Sequence, residues 1–194
     1  MDKIINQILE DSVAVKQKTI TGHMNRIVEV ADRLAACIAA GHKVMIFGNG
    51  GSAADAQHIA AELVNRFQIE RPPLAAVALT TDTSILTSIG NDYDFNQLFS
   101  KQIAALGRPD DIAWGISTSG NSPNVVKALE KAREIGMLTL AMTGRGGRMA
   151  EIADMVLPVE SDDTPRIQET QITIAHILCE LIDRILFPDQ YSQL

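Results

Sequence analysis

A chain of 194 residues, 46% apolar and 21% charged, is long enough to bury a core and short enough that one domain is the default expectation. Its net charge of -7, with no run of Lys or Arg, argues against direct contact with nucleic acid, so any anionic ligand must be held locally. Cys37 and Cys179 each sit in an apolar helical pattern and read as buried thiols of a reducing cytosol, and no unbroken apolar stretch reaches the ~20 residues that cross a bilayer; the expected location is the cytoplasm.

Over residues 4–40 apolar residues recur at helical spacing (Ile4, Ile5, Ile8, Leu9, then Ile27, Val30, Leu34, Ile38), with a break near Thr21-Gly22; two consecutive amphipathic helices are predicted. Residues 43–47 form a short apolar run closed by Gly48-Asn49-Gly50-Gly51-Ser52, the pattern of a buried strand entering a tight turn and a helix. Similar runs at 75–79, 112–116, 138–142 and 155–159 are separated by helical stretches at about 53–66, 95–106 and 122–136, and a long helix at about 164–186 ends near Phe187-Pro188. The alternation predicts an α/β fold, a parallel sheet with crossover helices, in one domain over 1–194: an N-terminal helical segment (1–40) and an α/β core (41–194). In open sheets of this kind ligands bind at the carboxyl ends of the strands, so the chemistry belongs to those loops.

The turn Gly48-Asn49-Gly50-Gly51-Ser52-Ala53 nominally matches a dinucleotide-binding glycine pattern. The acidic residue that would hold a ribose is due about 20 residues on. The nearest one, Asp82, lies 32 positions past Gly50, which disfavours a nicotinamide cofactor. What the glycines do provide is backbone that can approach a ligand closely at a helix start. A second loop, Ser117-Thr118-Ser119-Gly120-Asn121-Ser122, follows a strand and precedes a helix that Pro123 opens. Four hydroxyls at a helix N-terminus can bind phosphate with neutral donors and the helix dipole, whereas an ordinary Ser/Thr cap accounts for a single hydroxyl.

On the helix expected at 53–66, His58, Glu62 and Arg66 recur every four residues and so share a face, which in isolation reads as surface salt bridging. On the terminal helix Gln168 and His176, eight residues apart, share another face amid Ile167, Ile172, Ile174, Ile177 and Leu178. Two such helices can assemble a metal site with His58, Glu62 and His176 as ligands and Gln168 as a weaker oxygen donor, glutamine being uncommon around zinc.

The stretch 48–62 (GNGGSAADAQHIAAE), the Gly90-Asn91-Asp92 turn, the loop 117–122 and Arg166-Ile167-Gln168-Glu169 with His176 beyond resemble, in order and through almost the whole chain, the phosphoheptose isomerases of the sugar isomerase (SIS) superfamily. The resemblance implies a three-layer, flavodoxin-like five-stranded parallel sheet in a homotetramer with active sites between subunits. It implies conversion of the sugar phosphate sedoheptulose 7-phosphate to D-glycero-D-manno-heptose 7-phosphate, the first step toward heptose of bacterial surface glycans such as lipopolysaccharide. Carried over residue by residue, His58, Glu62, Gln168 and His176 fall on zinc positions. Asn49, Gly50, Gly51, Ser52, Glu62, Arg66, Asn91, Asp92, Ser117, Thr118, Ser119, Ser122 and Gln168 fall on or beside substrate-binding ones. Thr164-Pro165 stands where the family often has an aspartate, a departure that puts a secondary polar contact at the site in question.

Ketose–aldose interconversion moves a proton between adjacent carbons through an enediolate, which needs a carboxylate base, a group acting on the oxygens and a held phosphate. Glu62 is assigned as the base and His176 as the partner acid. A divalent metal would stabilise the enediolate oxygens, but neither residue can be a full metal ligand and a free proton carrier at one instant. The rival expectation is a non-catalytic tetrameric scaffold of the same superfamily that binds the replication initiator protein; it resembles this chain around Asn65-Arg66-Phe67, Arg71-Pro72 and 186–188. A scaffold has no chemical need for Glu62 and His176, both present here. A sugar-phosphate sensor within a transcription regulator would require a DNA-binding domain for which this length leaves no room.

Overall fold

The computed structural model describes residues 1–191; the last three positions of the expected domain, 192–194, lie outside the described residues. Two helices, α1 (Asp2–Gly22) and α2 (Met24–Ala39), open the chain, and the break falls at His23 between them. Then follow β1 (Val44–Gly48), α3 (Gly51–Val64), β2 (Ala76–Ala78), α4 (Thr83–Asp92), α5 (Leu98–Leu106), β3 (Ile112–Ile116), α6 (Pro123–Glu134), β4 (Leu138–Thr143), α7 (Arg148–Ile152), β5 (Met155–Pro158), α8 (Thr164–Leu186) and α9 (Pro188–Tyr191). The helix α8 stops at the expected Phe187-Pro188 boundary.

The five strands are parallel in the order β2-β1-β3-β4-β5, with Val44 opposite both Ala76 and Ile112, and Ile112 opposite Leu138. This is the flavodoxin-like order, whose direction of winding switches between β1 and β3 and opens a crevice beyond their carboxyl ends. Alternate residues of β1 serve two cores. Val44 and Ile46 pack with α2, α3 and α8 through Leu34, Ile59, Leu63 and Leu178, whereas Met45 and Phe47 pack with α5 and α6 through Phe99, Ile103 and Leu129. Burial of both faces explains why the strands read as unbroken apolar runs.

Three differences from the sequence reading have local causes. Asp82 is the N-cap of the unexpected α4, its carboxylate accepting from the Ile85 N–H at 2.9 Å; a helix with only three apolar turn-makers (Ile85, Leu86, Ile89) among Thr, Ser, Gly and Asn hides its period. Asn91 and Asp92 consequently close a helix and not a turn. The helix α3 runs 51–64 and not 53–66, because the Arg71 guanidinium takes the carbonyls of Leu63 (2.7 Å), Glu62 (2.9 Å) and Asn65 (3.3 Å) that another turn would have used. Arg66 therefore leaves the face of His58 and Glu62.

The start of α8 is tied to α1. Glu169 accepts from the Ser12 hydroxyl at 2.6 Å and from Arg166 at 2.8 Å, and Arg166 also donates to the Ile8 carbonyl at 2.9 Å. Both cysteines are free and buried as expected. Burial, then the nearby Asp111, pushes the Cys37 thiol up to about 11, and burial, then Glu62, pushes Cys179 up to about 12. At pH 8 an aromatic disulfide reagent should label neither thiol in the native protein and both after unfolding in guanidinium; rapid native labelling would contradict this packing.

Candidate active site at the carboxyl ends of β1 and β3

The loops leaving β1 and β3 meet across the crevice. Asn49, after β1, and Asn124, in the first turn of α6, exchange amide hydrogen bonds at 2.9 and 2.8 Å, a reciprocal pair that fixes the two loops together. Asn124 carries no periodicity or motif that marks it in the sequence. Beside the pair lies a cavity of about 130 Å³ lined by Asn49, Ser52, Ser117, Thr118, Ser119, Ser122 and Gln168. Eight of the expected binding positions thus gather here, since Gly51 lies against Gln168 so closely that an added Cβ would stand 2.6 Å from its amide nitrogen.

Ser122 occupies the N-cap position of α6, yet its hydroxyl does not cap the helix; it lies 2.8 Å from the Ser117 hydroxyl, which is 3.4 Å from that of Ser119. The loop's hydroxyls face one another instead of closing the helix end, the state in which they can turn to an anion at the first turn of α6. A second loop braces this one from behind. Gly144 donates to the Thr118 carbonyl (3.0 Å), Met149 to the Gly120 carbonyl (2.9 Å) and the Arg148 N–H to the Asn121 side chain (2.8 Å). Gly120, at φ +66°, packs against Gly146 with no room for a side chain: a Cβ there would lie 1.9 Å from the Gly146 carbonyl oxygen.

The helices α3 and α8 lie side by side and run in the same direction, because Gly51 meets Gln168 at one level and His58 meets His176 about two turns further along. At that second level His58 Nε2 is 3.1 Å from Glu62 Oε1 and 3.5 Å from His176 Nε2. The two rings are edge-on with centroids 5.0 Å apart, and Phe67 covers His176 from another side at 5.5 Å. Burial first, and then His58, lowers the His176 pKa, with Glu62 opposing; the imidazole is neutral near pH 7 and able to donate from one nitrogen while accepting at the other. Burial likewise raises the Asp55 carboxyl one turn before His58, which itself pulls the other way.

Other expected residues stand apart within the chain. Gln168 lines the serine cavity. Arg66 pairs with Glu70 at 3.0 Å on the surface. Asn91 and Asp92 share a hydrogen bond of 2.8 Å at the exposed end of α4, beyond the Thr87 that lines an apolar hollow of about 330 Å³ with Asn49, Gly50 and Phe95. Another hollow, about 470 Å³ beside β5, is lined by none of the expected residues. His58 meets both Glu62 and His176 directly, and among the described residues no group of three or more His, Cys, Asp or Glu side chains is arranged to hold a metal ion.

Sheet order, glycine turn and serine loop define a SIS-domain protein: the model of the SIS domain family matches residues 8–144. At finer grain, the chain is 54% identical over 186 residues to a phosphoheptose isomerase of Nitratidesulfovibrio vulgaris (strain Miyazaki F), covering 95% of this chain and 89% of that one. Solved structures agree. A phosphoheptose isomerase from Neisseria gonorrhoeae superimposes with TM-score 0.89 at 45% identity over 94% of this chain and 98% of that one, and one from Francisella tularensis with TM-score 0.91 at 41% identity over 94% and 97%. The chain belongs to the phosphoheptose isomerase family and is an aldose–ketose isomerase.

The brace behind the serine loop makes Gly120→Ala a severe change, combining a backbone clash with a left-handed φ. It should destabilise the protein by about 2 kcal/mol or more in urea unfolding, whereas Gly146→Ala, where a Cβ meets nothing within 4 Å, should cost less than about 0.5 kcal/mol.

Proposed function

We propose that this isomerase converts sedoheptulose 7-phosphate to D-glycero-D-manno-heptose 7-phosphate, in the cytoplasm, as the first step toward heptose of surface glycans. The observation that carries the reading is the meeting of His58, Glu62 and His176 on two parallel helices whose other shared level, Gly51 and Gln168, borders the hydroxyl-lined cavity. Seven residues of α3 separate the two levels, a rise of about 10 Å. An extended seven-carbon chain with a terminal phosphate has a comparable length. Its phosphate then sits among Ser117, Thr118, Ser119 and Ser122 at the start of α6, with Asn49, Gly50, Gly51, Ser52 and Gln168 along the way and the reacting carbons at Glu62.

In this arrangement the Glu62 carboxylate takes the proton from C1 and returns it at C2. The neutral His176 imidazole donates to and accepts from the C1 and C2 oxygens, and Phe67 helps to exclude water around it. His58, Glu62 and His176 are also the proposed zinc ligands; Gln168, proposed as the fourth, stands at the other level within this chain, beside Gly51. Two of the separations, His58 to Glu62 at 3.1 Å and His58 to His176 at 3.5 Å, lie near the edge of a tetrahedron about zinc, about 3.3 Å for bonds of 2.0–2.1 Å. A metal bound there would polarise the substrate oxygens.

The assembly proposed is a homotetramer of one SIS domain per chain, with active sites between subunits. Ile4, Ile5, Ile8, Leu9 and Val13 support it by forming an exposed apolar row along α1. Arg66, Asn91 and Asp92 are all exposed, and the role proposed for them lies in the site of a neighbouring copy. Among the described residues no helix is long and apolar enough to cross a membrane. The similar proteins named above are isomerases, and the scaffold reading draws no support from them.

Two experiments test the assignment. Ser119→Ala with Ser122→Ala should weaken binding of sedoheptulose 7-phosphate by about 1–2 kcal/mol per hydroxyl in calorimetry; unchanged affinity would remove the loop from phosphate recognition. Glu62→Gln should lower turnover at least about a hundredfold, followed by NMR of the aldose product, while substrate still binds. Zinc measured on the same preparations separates the roles: retained metal with lost turnover marks a base, lost metal marks a ligand, and full turnover removes Glu62 from the mechanism.

A further inference from the structure

Arg71 and Asp183 form the one ion pair among those of the described residues with both side chains fully buried. Arg71 Nε donates to Asp183 Oδ1 at 2.9 Å, and its remaining N–H groups go to backbone carbonyls: Nη2 to Glu62, and Nη1 to Leu63, Asn65 and Pro72. The guanidinium therefore closes the carboxyl end of α3 with charge of the sign that a helix C-terminus favours. One of the carbonyls it holds belongs to Glu62 itself. Asp183 lies seven residues after His176 on α8, two helical turns along the same face. A single side chain thus bolts the peptide of Glu62 to the helix of His176.

Stability alone does not account for such a pair. Burying two charges is costly, and well-packed apolar residues in their place are often as stable or more so. The second Asp183 oxygen, Oδ2, is buried with no hydrogen-bond partner, so even the anion is incompletely satisfied. What an apolar pair could not do is fix the level of α3 against α8 through a planar fork of directed bonds.

We propose that Arg71 is a positioning residue of the isomerase site: through Asp183 and the Glu62 carbonyl it sets where the Glu62 carboxylate stands relative to His176 and His58. The inference rests on the reading of Glu62 as an essential group of the reaction. It concerns the chemical step and not phosphate recognition, because the serine loop is braced separately by the loop 144–148.

The test is a double-mutant cycle between Arg71→Lys and Glu62→Gln on the zinc-supplemented full-length enzyme, with kcat and KM for sedoheptulose 7-phosphate measured alongside thermal unfolding. Lysine keeps the charge and loses the fork. Arg71→Lys should lower kcat about tenfold or more while KM stays within about threefold, the pattern of a misplaced reacting group. In the Glu62→Gln background the same change should cost less than about twofold, since a group already lost cannot be misplaced further. Asp183→Asn keeps an oxygen for Arg71 Nε, is the milder disturbance, and should repeat the pattern at smaller size; if Arg71→Lys does not fold, this variant decides by the same criteria. A kcat unchanged in a folded variant, a raised KM alone, or a full penalty persisting in the Glu62→Gln background would overturn the positioning role. Wild-type turnover in Glu62→Gln alone would instead bring down the reading of the site, and this inference with it.

Discussion

The loop after β1 occupies its place because two of its glycines leave nothing between neighbouring backbones. A Cβ on Gly48 would stand 2.7 Å from the Ile116 carbonyl and 2.8 Å from the Ser52 Cβ, and one on Gly51 would strike the Gln168 amide. Removing those side chains lets the first turn of α3 press against the end of β3 and against α8 together. Everything at the site inherits this contact: Ser52 reaches the cavity, Asn49 reaches Asn124, and α3 is laid along α8 at the level that brings His58 to His176. The far end of the same helix pair is held by Arg71. Close backbone approach sets one end of the pairing, and a buried guanidinium sets the other.

Under the proposed function, recognition of an anion by an acidic protein draws on the same economy. The serine loop presents hydroxyls that bond to each other and a helix start whose dipole is positive, so no lysine or arginine need enter the cavity. Neutral donors have a further effect. They add no cation of their own near Glu62 and His176, where the lowered proton affinity of His176 follows from burial and from His58.

Elements with a strong period were legible in the sequence. The five strands fall within a residue or two of the runs that announced them, because burial on both faces writes continuous apolar stretches. The hydroxyl loop and the paired polar groups on two helices were legible for a similar reason: polar residues at fixed offsets in apolar surroundings are unusual. What escaped was non-periodic. The helix α4 is built from residues that also make turns, and α7 has five residues. The early stop of α3 depends on Arg71, an arginine set before two prolines, whose partner Asp183 lies 112 residues away with no spacing rule to connect them. The reciprocal amides of Asn49 and Asn124 are likewise 75 positions apart.

The bond between Ser12 and Glu169 spans 157 positions, and the sheet itself starts from a strand whose neighbour β3 arrives about seventy residues later. Native contacts of such long range form slowly, since the chain must close large loops before they reward it. During synthesis on the ribosome, α1 precedes its main packing partner α8 by nearly the whole length of the chain given. Its row of isoleucine and leucine is exposed through that interval and stays exposed in the folded chain, so the folding of one chain by itself does not cover it.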